Sequence, residues 1–159
     1  MEFKLISSNK EKTIALGVFI AKFLKVGDVV TLVGDLGAGK TTFVKGVGKG
    51  LGIKEEINSP TFNILKCYFS SPMNLYHIDA YRLEGVAKEN KNIGLEEVIE
   101  GDGVCLIEWP MYINEFIDLN KTLNIDIRII NDDKRQITIS TNNTNYKELF
   151  LSLKGYKNE

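Results

Sequence analysis

The sequence predicts an α/β domain in which parallel and antiparallel strands share one sheet. Three observations carry this expectation. Two short, nearly continuous apolar runs, 29–33 (VVTLV) and 104–107 (VCLI), fit strands covered on both faces, as in a parallel sheet. The first run leads into a glycine-rich loop and then a helix-forming stretch, the order of an α/β unit. Two pairs of strand-like segments, 62–69 with 75–81 and 123–130 with 137–140, are joined by turn residues and read as antiparallel hairpins.

The elements follow in chain order. Residues 3–6 read as a short strand, and Ser7 or Ser8 as the cap of a helix over 11–25. Ile14, Leu16, Val18, Ile20, Ala21 and Leu24 give that helix a buried stripe. The strand at 29–33 feeds the loop 34–39, and a helix is expected over 40–51. Gly46, Gly48 and Gly50 weaken that helix, so they either admit a close neighbour or fray its end. Residues 58–61 form an exposed linker before the first hairpin, whose turn falls at 70–72, and 84–92 is a polar connection. A helix at 94–100 precedes the run ending at Glu108, and a short helix covers 112–118. The turn Asn131-Asp132-Asp133 closes the second hairpin, and an amphipathic helix over 145–154 ends the chain.

Composition narrows the classes of function. At 159 residues the chain suits one domain, 1–159. Twenty Lys and Arg against 21 Asp and Glu give a net charge of −1, so strong direct binding to nucleic acid is not expected. Cys67 and Cys105 both lie in apolar strand-like runs and are expected to be buried free thiols in a reducing compartment. No apolar run approaches the ~20 residues a bilayer requires. The opening MEFKLISSNKEK lacks the pattern of a signal peptide, so the expectation is a soluble, cytoplasmic protein.

The strongest chemical signal is Gly34-Asp35-Leu36-Gly37-Ala38-Gly39-Lys40-Thr41, a full match to G-x-x-x-x-G-K-[ST]. Gly37 and Gly39 let the backbone wrap so that amide groups face phosphate oxygens, and the following helix adds its positive dipole end. Lys40 is placed to reach β- and γ-phosphates, and the Thr41 hydroxyl to ligate Mg²⁺. A P-loop requires a further acidic group near the metal. Glu108 ends the second apolar run, and Asp79 ends the strand that carries His77 on the same face. Thr61 lies in a loop after the P-loop helix, where a γ-phosphate sensor or a plain turn residue are both open readings. Trp109 is either a mobile aromatic at the site or a core-edge residue, and His77 is expected to play a core or hydrogen-bonding role.

A P-loop does not fix function. The Asn-Lys pairs at 9–10, 90–91 and 120–121 lack the Asp of a guanine reader, which argues against a GTPase. Arg82, Arg128 and Arg135 are the only arginines, few for the lid of a small-molecule P-loop kinase, although that class stays the live competitor. A nucleotide-holding module without turnover is a third possibility.

The set GDLGAGKTTF (34–43), SPTF (59–62), LYHIDAYRL (75–83) and GLEEVIEGDGVCLIEWP (94–110) resembles the TsaE family, formerly YjeE. These are bacterial ATPases of tRNA threonylcarbamoyladenosine (t⁶A) biosynthesis. The likeness spans nearly the whole chain. It implies a P-loop NTPase fold in three layers, with a mixed parallel and antiparallel central sheet. It implies binding of ATP with Mg²⁺, weak intrinsic hydrolysis to ADP, and assembly with the TsaB–TsaD heterodimer. That heterodimer holds tRNA and transfers the threonylcarbamoyl group, and the ATPase resets or regulates it. Carried over by position, the resemblance implies that Gly37, Ala38, Gly39, Lys40, Thr41 and Thr42 cradle the phosphates, with Asp35 and Leu36 also in the nucleotide-binding loop. Thr41 and Glu108 are the implied Mg²⁺ ligands, Asp79 acts through water near the metal or orients the attacking water, and Thr61 senses the γ-phosphate. Trp109 is placed close to the nucleotide. Lys10 and Thr13 are implied on the adenine side, with Arg135 or Lys134 as a contact from the last hairpin.

Overall fold

A computed structural model describes residues 1–60, 63–70, 73–85 and 94–156. Among these, seven strands form one sheet in the order β1-β7-β6-β2-β5-β4-β3. The strands are β1 (Glu2–Ser7), β2 (Val29–Val33), β3 (Leu65–Tyr68), β4 (Asn74–Asp79), β5 (Gly103–Glu108), β6 (Leu123–Ile129) and β7 (Arg135–Thr141). The helices are α1 (Lys10–Ala21), α2 (Lys40–Gly50), α3 (Leu95–Ile99) and α4 (Lys147–Leu153), with a 3₁₀ stretch over Pro110–Phe116. β2 runs parallel to both β5 and β6, and β4 runs parallel to β5. β3–β4, β6–β7 and β1–β7 are antiparallel. The expected α/β fold with a mixed sheet, and both hairpins, are what the chain forms.

One face of the sheet carries α1, α2 and α4 over Val30, Leu32, Leu75, Leu106, Ile125 and Ile139. The other carries α3 and the 3₁₀ stretch over Tyr76, Ile78, Cys105 and Ile107. This thinner layer reaches only the parallel half. Hence every residue of β5 is buried, whereas β6 and β7 alternate between buried and open positions.

The glycines of α2 serve close packing. A Cβ on Gly17 of α1 would lie 2.6 Å from the carbonyl oxygen of Phe43, and one on Gly46 would strike the Ile14 backbone. The two helices therefore meet backbone to backbone, which offsets the propensity cost of glycine.

Local details depart from the sequence expectations. The cap of α1 is Asn9, whose side chain accepts from the Lys12 amide at 2.9 Å, not Ser7 or Ser8. The Ser7 hydroxyl is engaged instead with the Thr13 hydroxyl at 2.7 Å. α1 ends at Ala21, short of residue 25, because the chain tightens into turn bonds at Lys22, Phe23 and Leu24. The final helix starts as a 3₁₀ turn, Thr144–Tyr146, before α4. Cys105 is buried as expected, but Cys67 is exposed. Cys67 pairs with Tyr76 across the β3–β4 ladder, on the strand that forms the edge of the sheet, so it has a neighbouring strand on one side only. Thr61, Phe62, part of the 70–72 turn and most of the 84–92 connection fall outside the described residues.

Candidate active site

Loop 34–39 joins β2 to α2. Gly37 and Gly39 have φ of +79° and +110°, a region in which a side chain is strained. The Ala38 amide closes a turn on the Asp35 carbonyl at 3.0 Å. α2 begins at Lys40, so its first amides, which have no partner within the helix, open toward the loop. The Lys40 ammonium donates to the Gly34 carbonyl at 2.6 Å and sits 4.3 Å from the centroid of the Trp109 ring.

The acids arrive from the neighbouring strands. In the parallel register Asp79 of β4 stands beside Glu108 of β5, and His77 beside Leu106. Alternation puts His77, Asp79, Leu106 and Glu108 on one face, the face toward α1 and α2. The backbone continues past both strand ends under restraint, with the Ala80 amide donating to the Glu108 carbonyl at 3.0 Å. The Asp79 carboxylate accepts from the Tyr81 amide at 3.0 Å, an Asx turn that fixes its rotamer. His77 Nε2 lies 2.6 Å from Glu108 Oε2, a hydrogen bond in which the imidazole donates to the carboxylate. His77 Nδ1 is buried with no partner among the described residues.

Lys40, Asp79 and Glu108 are only 6 %, 8 % and 4 % exposed. Burying three ionisable groups together costs free energy unless charge and hydrogen bonds offset it. Burial pushes the Lys40 pKa below the usual lysine range, opposed by the carboxylates of Glu108, Asp79 and Asp35. Burial raises Asp79 above the usual carboxylate range, countered first by the Tyr81 amide, while Glu108 adds to the rise. Both shifts run toward the neutral form, so burial works against charge on each group while their mutual attraction favours it.

These groups surround a cavity of about 510 Å³ lined by Lys10, Leu36, Gly37, Gly39, Lys40, Thr41, Thr42, Ser59, Asp79, Tyr81, Glu108 and Trp109. Thr13, Ala38 and Arg135 line an adjoining cavity of about 230 Å³, which shares Lys10, Gly37, Gly39 and Thr42 with the first. Asp35 lines neither; it borders a separate concavity with Trp109 and Arg128. Thr61 lies outside the described residues. Trp109 is at the site: it has φ of +57°, stacks on Tyr112 at 5.9 Å and leans on Tyr81 at 5.1 Å. Ser59 and Tyr81 also line the cavity, although the sequence reading did not single them out. Their signal was position, since Ser59 precedes Thr61 in SPTF and Tyr81 follows Asp79 by two residues.

The residues present fit Mg²⁺ held jointly with phosphate. Thr41, Asp79 and Glu108 offer oxygen donors around one cavity. Among the described residues no cluster of three or more His, Cys, Asp or Glu forms a self-sufficient metal cage. That suits an ion that keeps waters and leans on one or two protein oxygens plus phosphates.

A parallel strand, a glycine loop with two left-handed turns, a helix start and two strand-end acids define a P-loop NTPase domain. The family model described as "Threonylcarbamoyl adenosine biosynthesis protein TsaE" matches residues 7–137. The chain is 44 % identical over 157 residues to the tRNA threonylcarbamoyladenosine biosynthesis protein TsaE of Bacillus subtilis, covering 99 % of this chain and 97 % of that one. The Treponema pallidum protein of the same name is 40 % identical over 137 residues, 86 % of this chain and 99 % of that one. The crystal structure of Bacillus YdiB superposes with a TM-score of 0.81 at 40 % identity, covering 97 % and 95 % of the two chains. The chain belongs to the TsaE family and so to t⁶A biosynthesis. No helix among the described residues is long and apolar enough to cross a membrane.

Proposed function

We propose that this chain binds ATP with Mg²⁺ and hydrolyses it slowly to ADP, and that hydrolysis regulates or resets the TsaB–TsaD transferase. The observation that carries this reading is the meeting of Lys40, Thr41, Asp79 and Glu108 around one cavity at the start of α2.

The residues divide the work. Loop amides and the start of α2 hold the phosphates, and the Lys40 ammonium leaves the Gly34 carbonyl for the β- and γ-oxygens. Thr41 and Glu108 hold Mg²⁺, with Glu108 kept in place by His77. When bound, the ion neutralises charge developing on the transferring phosphoryl group. Asp79, aimed by the Tyr81 amide, orients a water near the metal. Thr61, which follows α2 in the sequence, senses the γ-phosphate in this reading. Lys10 and Thr13, on the side of the smaller cavity, face the adenine end.

All three arginines lie among the described residues, and none lines the larger cavity. Slow turnover alone, with a partner completing the site, agrees with this; an added arginine finger is worth ~10³–10⁵ in rate. The near-neutral charge suits a chain that meets tRNA only through its partner.

The test is phosphate release with and without TsaB–TsaD, followed by t⁶A formation beyond one turnover. Release should rise with the partner, and repeated turnover should require hydrolysis. Fast release unaffected by TsaB–TsaD would refute the reading. A labelled phosphoryl group on an acceptor other than water would favour a kinase instead.

A further inference from the structure

We propose that Arg135 is a positioning residue for the P-loop, holding it from outside in its phosphate-accepting shape; this rests on the ATP-binding reading above. Arg135 opens β7, directly after the turn of the last hairpin. Its Nε donates to the Ala38 carbonyl at 2.8 Å, and one terminal nitrogen donates to the Gly37 carbonyl at 3.3 Å. The other terminal nitrogen donates to the carbonyls of Asn131, Asp132 and Lys134 at 2.7, 3.3 and 3.0 Å. One planar guanidinium thus ties the loop to the hairpin, a geometry that the single ammonium of lysine does not reproduce.

The consequence follows from the planar trans peptide, in which C=O and the next N–H point opposite ways. Fixing the Ala38 carbonyl on Arg135 turns the Gly39 amide to the other side of the loop. Ala38 lines the cavity that contains Arg135 and is absent from the lining of the larger one, whereas Gly39 borders both. Fixing the Gly37 carbonyl likewise aims the Ala38 amide at the Asp35 carbonyl, the bond that closes the loop's turn. Gly37 and Gly39 give this loop wide conformational freedom, so its shape is not set by local preference. Arg135 supplies the restraint. The hairpin end is itself fixed, since the Asn131 side chain accepts from the amides of Asp133 and Lys134 at 3.0 and 2.9 Å.

The guanidinium therefore acts on nucleotide through backbone amides, with each of its three nitrogens already engaged by a carbonyl oxygen of the loop or the hairpin. The test is deuterium exchange of the nucleotide-free chain, read on the peptide spanning 34–41, beside calorimetric ATP and ADP affinities. Arg135→Gln should speed exchange there at least ~5-fold while the rest of the chain keeps its protection. It should weaken ATP and ADP by a similar factor, about tenfold, because the restrained amides serve both. Arg135→Lys should recover part of each effect, and Asn131→Ala should give a smaller change of the same sign. Unchanged exchange with a loss confined to ATP would make Arg135 a direct phosphate contact and overturn the proposal. Exchange that speeds up throughout the chain would reduce Arg135 to a general structural role and overturn it equally. A wild-type chain that binds no nucleotide would sink the proposed function, while the exchange measurement would still report on the restraint.

Discussion

The two halves of the sheet obey different rules. In the parallel half, β2, β5 and β4 lie between two layers and are buried along nearly their whole length, β2 and β5 with almost continuously apolar sequences and β4 with His77 and Asp79 buried as well. In the antiparallel half, β6, β7 and β1 pack α4 and the end of α1 on one face and leave the other open, so apolar and polar residues alternate. The candidate site sits where the doubly covered strands end. There the last residue of each strand, Asp79 or Glu108, is shielded from water yet faces a cavity, and the parallel direction brings both acids to the same edge. The antiparallel half contributes no acid to the larger cavity. Its contribution is Arg135, which grips the outside of the loop. The acids of the candidate site belong to the half covered on both faces, and the arginine bonded to the loop comes from the half that is not.

The largest contrast between the halves is expected when one charge is placed on each. Ile107→Lys puts an ammonium under the α3 layer, where Ile107 is fully buried. It should cost more than ~4 kcal/mol in urea unfolding and leave the chain largely unfolded. Thr138→Lys, on the open face of β7, should stay within about 0.5 kcal/mol of wild type. Similar losses for both would show that the open face is covered.

Next in size are changes at the ends of the parallel strands. Lys40→Ala should lower ATP hydrolysis by ~10²–10³-fold, the scale of losing one preorganised charge stabiliser. Glu108→Ala should reduce Mg²⁺-dependent phosphate release more than ATP affinity, and an unchanged rate would remove Glu108 from the metal site.

Asp79 offers a smaller, pH-dependent effect. Its folded-state pKa is raised, chiefly by burial, so the ionised form is destabilising in the fold. Asp79→Asn, which keeps an acceptor for the Tyr81 amide, should therefore raise the thermal midpoint at neutral pH. The gain should fade as pH drops through the raised folded value toward the ordinary carboxylate range and vanish below both. A gain that persists at low pH would place its origin elsewhere. The smallest effect separates the cysteines. A thiol reagent should label Cys67 on the uncovered β3 edge and leave Cys105 unmodified until the chain unfolds. Burial raises the pKa of both thiols, far more for Cys105.

Much of the site was legible in linear order. The P-loop is contiguous, and a buried strand that ends in an acid is a local pattern, so Lys40, Thr41, Asp79 and Glu108 stand out from sequence alone. His77 was expected to hydrogen bond, but its partner was hidden, because Glu108 lies 31 residues away. The exposure of Cys67 was misread for a related reason. An apolar run reports that a strand is coverable, whereas its place at the sheet edge is a matter of topology.

The P-loop, the two acid-tipped strands, the two hairpins and the family can be read along the chain, because each is written in neighbouring residues whose backbone preferences and periodicity act locally. Which strands lie side by side, the contact of α1 with α2 at Gly17 and Gly46, and the reach of Arg135 to a loop residue 97 positions before it emerge only in the folded chain. Those outcomes depend on how layers pack and on which buried polar groups find partners, and such long-range balances leave no local trace in the order of amino acids.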